Sequence, residues 1–104
     1  MAGEKEKREV EILERPAPDV RKPEMFRVVL HNDDYTTMEF VVGILEGIFH
    51  KEPDEAHRIM LKVHQQGQGT AGVYPFEVAE TKVEMVHEEA RVNGFPLRAT
   101  AEPA

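Results

Sequence analysis

The pattern of hydrophobic and polar positions changes character at Pro23. Before it, alternating acids and bases with two prolines leave almost nothing to bury; after it, apolar residues recur at regular spacing. Met25 to Leu30 is apolar and partly β-branched, interrupted only by Arg27, which predicts a strand buried on at least one face. Phe40, Val41, Ile44, Leu45 and Ile48 then fall at helical spacing. Thr36 and Glu39 form a capping box, so this helix should start near Thr37 or Met38, with Gly43 and Gly47 weakening it by about 1 kcal/mol each. A second helix is expected from Pro53 to Gly67, with Ala56, Ile59, Met60 and Val63 inward and His64 one turn beyond Met60. QGQGTAGVY reads as a loop leading into a short strand. Pro75 can open a third helix, in which Phe76, Ala79, Val83, Val86 and Ala90 make the apolar stripe while the acids and Lys82 face water. Asn93 and Gly94 should end it, and FPLRATA makes a last strand before a polar C-terminus.

The element order is strand, helix, helix, strand, helix, strand. The simplest solution is an α+β fold: a small antiparallel three-stranded sheet with three helices packed on one face. Residues 1–24 should form a flexible charged extension, because such a segment cannot offset the entropy of ordering, and residues 25–104 a core domain. No internal repeat is visible.

Composition narrows the function classes. With 104 residues and 40% hydrophobic content, one small core is the expectation. A net charge of -7 without a basic stripe argues against nucleic acid or an anionic membrane as partner. The absence of cysteine excludes disulfides and thiolate chemistry, and the charged start does not resemble a signal peptide. An intracellular, soluble protein is expected.

The stretch HNDDYTTMEF, residues 31–40, concentrates the candidate chemistry. Asn32 and Asp33 can shape an Asx-turn while Asp34 favours the positive end of the following helix, yet a turn does not require three such residues in a row. Asn, Asp and neutral His together offer hydrogen-bond acceptors, and a free ammonium is a three-donor cation. If the second helix packs beside the turn, His64 joins Asn32 and Asp34, and Met38, Val41, Met60 and Val63 surround an adjoining apolar hollow. Met38 and Met60 are equally compatible with plain core filling. A metal site of Asp33, Asp34 and His64 is the competing reading, without an HxxxH or ExxH pair to support it. Nucleophile-elbow and phosphate-loop motifs are missing, so no catalytic residue, metal or cofactor is assigned.

FRVVLHNDDYTTMEFVVGIL, RIMLKVHQQGQG, GVYPFEVAETKV and NGFPL together resemble the ClpS family of adaptors, which recognise N-degrons for the AAA+ protease ClpAP. The resemblance covers residue 25 to about residue 101. It implies a non-enzymatic cytoplasmic monomer that binds proteins beginning with Leu, Phe, Tyr or Trp. By position it implies that Asn32, Asp34 and His64, with Asp33 beside them, hold the α-amino group. Thr36, Met38, Val41, Met60, Val63 and Leu97 match the side-chain pocket, and Glu77, Thr81 and Lys82 match the surface that docks on the N-terminal domain of ClpA. The chain departs from the family at Thr37, where members usually carry proline. The alternative from another class is an interaction module whose apolar hollow is merely core, resembling the C-terminal domain of the ribosomal stalk protein.

Overall fold

A computed structural model describes residues 23–104, so all but Pro23 and Glu24 of the extension expected over residues 1–24 lies outside the described residues. The elements run β1 (Met25–His31), α1 (Met38–Gly47), α2 (Pro53–Gln66), β2 (Gln68–Pro75), α3 (Phe76–Asn93) and β3 (Arg98–Pro103). The sheet has the order β2-β1-β3, with both neighbours antiparallel to the central β1. All three helices pack on one face, α3 across the strands and α2 between β2 and α1.

The period-2 alternation of β1 sorts its side chains. Val28 and Leu30 enter the helix-covered core with Ile44, Leu45, Ile59, Met60, Val63 and Val86. Arg27 and His31 lie on the other face, where Arg27 pairs with Glu102 at 3.2 Å and His31 Nε2 lies 2.8 Å from the Thr100 hydroxyl.

Several local expectations shift. The Thr36–Glu39 capping box does not form: Thr37 is the N-cap, its hydroxyl accepting from the Phe40 N–H at 3.1 Å. Thr36 is unavailable because Asp33 holds both its N–H and its hydroxyl. The glycine-rich stretch after α2 is an eight-residue strand rather than a loop. Its glycines answer to packing: a Cβ on Gly69 would stand 2.9 Å from Val63 Cγ2, and one on Gly72, beside a register shift in the β1–β2 ladder, would overlap the Tyr74 phenol. The last strand starts at Arg98 instead of Phe95 and runs on to Pro103, which pairs with Phe26. Phe95 is drawn away by the α3 terminus, its N–H donating to Ala90 and its ring lying 4.8 Å from that of Phe40. Phe76 is half exposed against the Phe26 ring rather than part of the α3 stripe.

Lys82 does not face water as the helical periodicity suggested. Its ammonium donates to the Ile48 carbonyl at 2.7 Å and lies 5.7 Å and 5.3 Å from the ring centres of Phe49 and Tyr74. No basic residue stands in the last turn of α1, so a cation from α3 complements that helix's negative end.

Candidate functional site

The end of β1 and the end of α2 meet. Gly67 closes α2 in the left-handed conformation, φ 91°, its N–H donating to Val63, and its carbonyl accepts the Asn32 N–H at 2.9 Å. That link sets the turn after β1 beside the last turn of α2, and a cavity of about 260 Å³ opens between them. Asn32, Asp33, Asp34, Thr36, Met38, Val41, Met60, Val63 and His64 line it.

The two adjacent carboxylates divide the work. Asp33 Oδ1 accepts from the Tyr35 N–H at 2.8 Å and the Thr36 N–H at 2.7 Å, while Oδ2 accepts from the Thr36 hydroxyl at 2.7 Å. Burial pushes its carboxyl up, but the bonds from Thr36 and Tyr35 together outweigh that and leave it below the ordinary carboxylate value. Asp33 therefore builds the turn. Asp34 is exposed and, among the described residues, no side-chain or backbone donor is bonded to it.

Asn32, Asp34 and His64 are all exposed at the cavity, and among the described residues no lysine or arginine lines it. The mouth is thus rich in acceptors and negative, complementary to a small cation with donors to place. Behind it stand Val41, Met60 and Val63, all buried, while Met38 at the start of α1 is 45% exposed. Polar groups at the entrance and apolar walls within suit a ligand that is charged at one end and greasy at the other. Among the described residues, no cluster of three or more His, Cys, Asp or Glu side chains is placed to hold a metal ion.

Of the side chains singled out in the sequence, Leu97 alone of the pocket set does not line the cavity. It is 3% exposed and belongs to the core, because the α3–β3 connection carries it inward. Glu77 and Thr81 are exposed on α3, whereas Lys82 is the partly buried tie described above. Two contributors went unrecognised in the sequence: Thr37 as the N-cap that positions Met38, and the Gly67 carbonyl that anchors Asn32. The glycine was legible as a helix end, but not its bond to a residue far away in the chain.

A half-polar cavity at the end of the central strand of a three-helix, three-stranded α+β unit defines a small binding domain. The chain belongs to the ClpS family: the model described as ATP-dependent Clp protease adaptor protein ClpS matches residues 21–100. The ATP-dependent Clp protease adapter protein ClpS of Nitratidesulfovibrio vulgaris (strain DSM 19637 / Miyazaki F) is 66% identical over 84 residues, 81% of this chain and 84% of that one. Its counterpart in Desulfatibacillum aliphaticivorans is 57% identical over 93 residues, 89% of each chain. Among solved structures, Agrobacterium tumefaciens ClpS2 bound to L-phenylalaninamide superposes with a TM-score of 0.76 at 36% identity, covering 80% of this chain and all of that one. The protein is accordingly a ClpS adaptor of the Clp protease, a family of adaptors and not of catalytic proteases. Among the described residues no helix is long and apolar enough to cross a membrane.

Proposed function

We propose that the cavity captures the first residue of N-degron proteins and that the domain, residues 25–104, delivers them to the N-terminal domain of the ClpA unfoldase of ClpAP. The observation that carries this reading is the convergence of Asn32, Asp34 and His64 with Met38, Val41, Met60 and Val63 on one small cavity. In it the free α-amino group donates to Asn32, Asp34 and His64. The side chain of the first residue, Leu, Phe, Tyr or Trp, enters between Met38, Val41, Met60 and Val63. Thr36 closes the wall next to the turn, and Asp33 holds that turn in shape. L-phenylalaninamide, the ligand of the Agrobacterium relative, joins a free amine to an apolar ring, which supports the same division here.

Magnitudes fit a double requirement. Burial of a Leu or Phe side chain contributes about 1.5–3 kcal/mol, and each hydrogen bond to the ammonium about 1.5–3 kcal/mol. Micromolar affinity corresponds to about -8 kcal/mol after an association cost of about 4 kcal/mol or more, so neither half suffices alone. An internal leucine lacks the ammonium, and an N-terminal lysine lacks the apolar group. Met38 narrows the entrance and excludes β-branched Ile and Val by clash.

Delivery rests on family membership and on the exposed α3 surface that presents Glu77 and Thr81, with Lys82 at its edge. The protein works as a cytoplasmic monomer without a cofactor. The opening between Asn32 and His64 disfavours the alternative of an interaction module whose hollow is filled core.

Titration of the full chain with short peptides beginning with Phe, acetyl-Phe or Ala tests the reading. Micromolar binding of the first alone is expected; equal binding of the acetylated peptide would overturn it.

A further inference from the structure

Taking the proposed amine-and-side-chain site as given, we infer that Met38 is an oxidation site through which hydroperoxides weaken recognition of an apolar first residue. Met38 and Met60 both line the cavity, but water reaches only one of them freely: Met38 is 45% exposed and Met60 4%. Oxidation needs collision with the sulfur, so exposure selects Met38. Its thioether sulfur attacks one oxygen of the hydroperoxide and the O–O bond breaks. The sulfur is oxidised by two electrons to the sulfoxide as the peroxide is reduced, and the departing oxygen takes up a proton and leaves as water or an alcohol.

The product changes the wall in kind. An unbranched apolar side chain becomes a polar one carrying a strong acceptor oxygen. In the empty cavity that oxygen is hydrated. When an apolar side chain seats against it, the oxygen loses its water; Val41, Met60 and Val63 offer no donor in exchange, and the Thr36 hydroxyl that also lines the cavity is already given to Asp33. Recognition of the amine by Asn32, Asp34 and His64 is left in place, so the loss falls on the contribution of the first side chain.

Two other described methionines serve as controls. Met25 is 38% exposed and Met85 45% exposed, and neither lines the cavity. They should oxidise about as readily as Met38 without touching the peptide. Damage at large and damage to the site therefore separate.

The test is titration of the full chain with a fluorescent Phe-initiated peptide before and after hydrogen peroxide, with sulfoxides located by mass spectrometry. Treated protein should bind about tenfold more weakly, about 1.4 kcal/mol, and methionine sulfoxide reductases should restore it. Met38→Leu should keep whatever affinity it has through the same treatment, and Met85→Leu should lose affinity as the unmodified protein does. Quantitative Met38 sulfoxide with unchanged affinity would overturn the inference, as would an equal loss in Met38→Leu. Absence of peptide binding before any peroxide would defeat the proposed site itself, a result distinct from either.

Discussion

The N–H of Asn32 donates to the Gly67 carbonyl at 2.9 Å, tying the end of β1 to the end of α2. The two sides of the cavity are held together by this backbone bond, and Gly67 accepts it from a left-handed conformation. Gly94 has the same conformation at the end of α3, φ 79°, away from the cavity, and a Cβ at either glycine meets nothing within 4 Å. Gly67→Ala and Gly94→Ala should therefore each lose stability from backbone strain alone, about 1–2 kcal/mol, seen as a fall in Tm of about 4 °C or more. Only Gly67→Ala should also weaken the Phe-initiated peptide. Equal peptide affinity in the two variants would show that the bond does not position the site.

Asp33 and Asp34, adjacent in sequence, should fail in different ways. Asp33→Ala removes three accepted hydrogen bonds from the turn and is expected to lower the unfolding free energy by about 2–3 kcal/mol. Asp34→Ala should leave stability within about 0.5 kcal/mol and cut peptide affinity by about tenfold or more. Urea unfolding and peptide titration of the pair distinguish the roles. Acid adds a third reading: the folded Asp33 carboxyl lies below its ordinary value of 3.8. Its contribution is complete above 3.8 and declines as pH falls through the lower folded value, a decline that Asp33→Asn should flatten.

His31 governs a higher pH window. Partial burial and the nearby Arg98 push its imidazole below the ordinary 6.5, and the attraction of Glu102 does not make up the difference. Folding therefore favours the neutral ring, and the unfolded chain binds more protons just below 6.5. The stability contribution is complete above 6.5 and is lost as pH falls from there through the folded value. Urea unfolding at pH 7.5, 6.5 and 5.5 should show this slope, reduced in His31→Gln. An unchanged slope in the variant would assign the effect to other groups.

Lys82 is expected to act on stability as well as on docking. Because its ammonium supplies the cation at the end of α1, Lys82→Ala should cost about 1–2 kcal/mol. Glu77→Ala and Thr81→Ala, at exposed positions, should stay within about 0.5 kcal/mol. Calorimetry on the three variants, beside their affinity for the ClpA N-terminal domain, separates a lost tie from a lost contact.

Met38→Ala should widen the entrance between α1 and α2. Peptides beginning with Ile or Val, which the proposed gate should exclude from the unmodified protein, are expected to bind the variant within about tenfold of Phe. Their continued rejection would place the exclusion on another side chain.

The sequence by itself determined the order of elements, the inward stripe of α2 and the places where α2 and α3 end. Apolar residues at period 2 or 3.6 must share a side, Pro53 suits a helix start, and Gly67 and Gly94 tolerate the left-handed end. The donor and acceptor types of the site were legible too, since they belong to the residues themselves. Tertiary structure alone decided which aspartate builds the turn, why Thr37 rather than Thr36 caps α1, why Gly69 lies within a strand, and that Lys82 turns inward. The reason is geometric. Spacing along a chain reports which side chains share a face, but a hydrogen bond is won by whichever of several similar partners lies within about 3 Å. For Asn32 and Gly67, or Lys82 and Ile48, that partner lies more than thirty residues away, and only the packing of α1, α2 and α3 on the sheet brings it there.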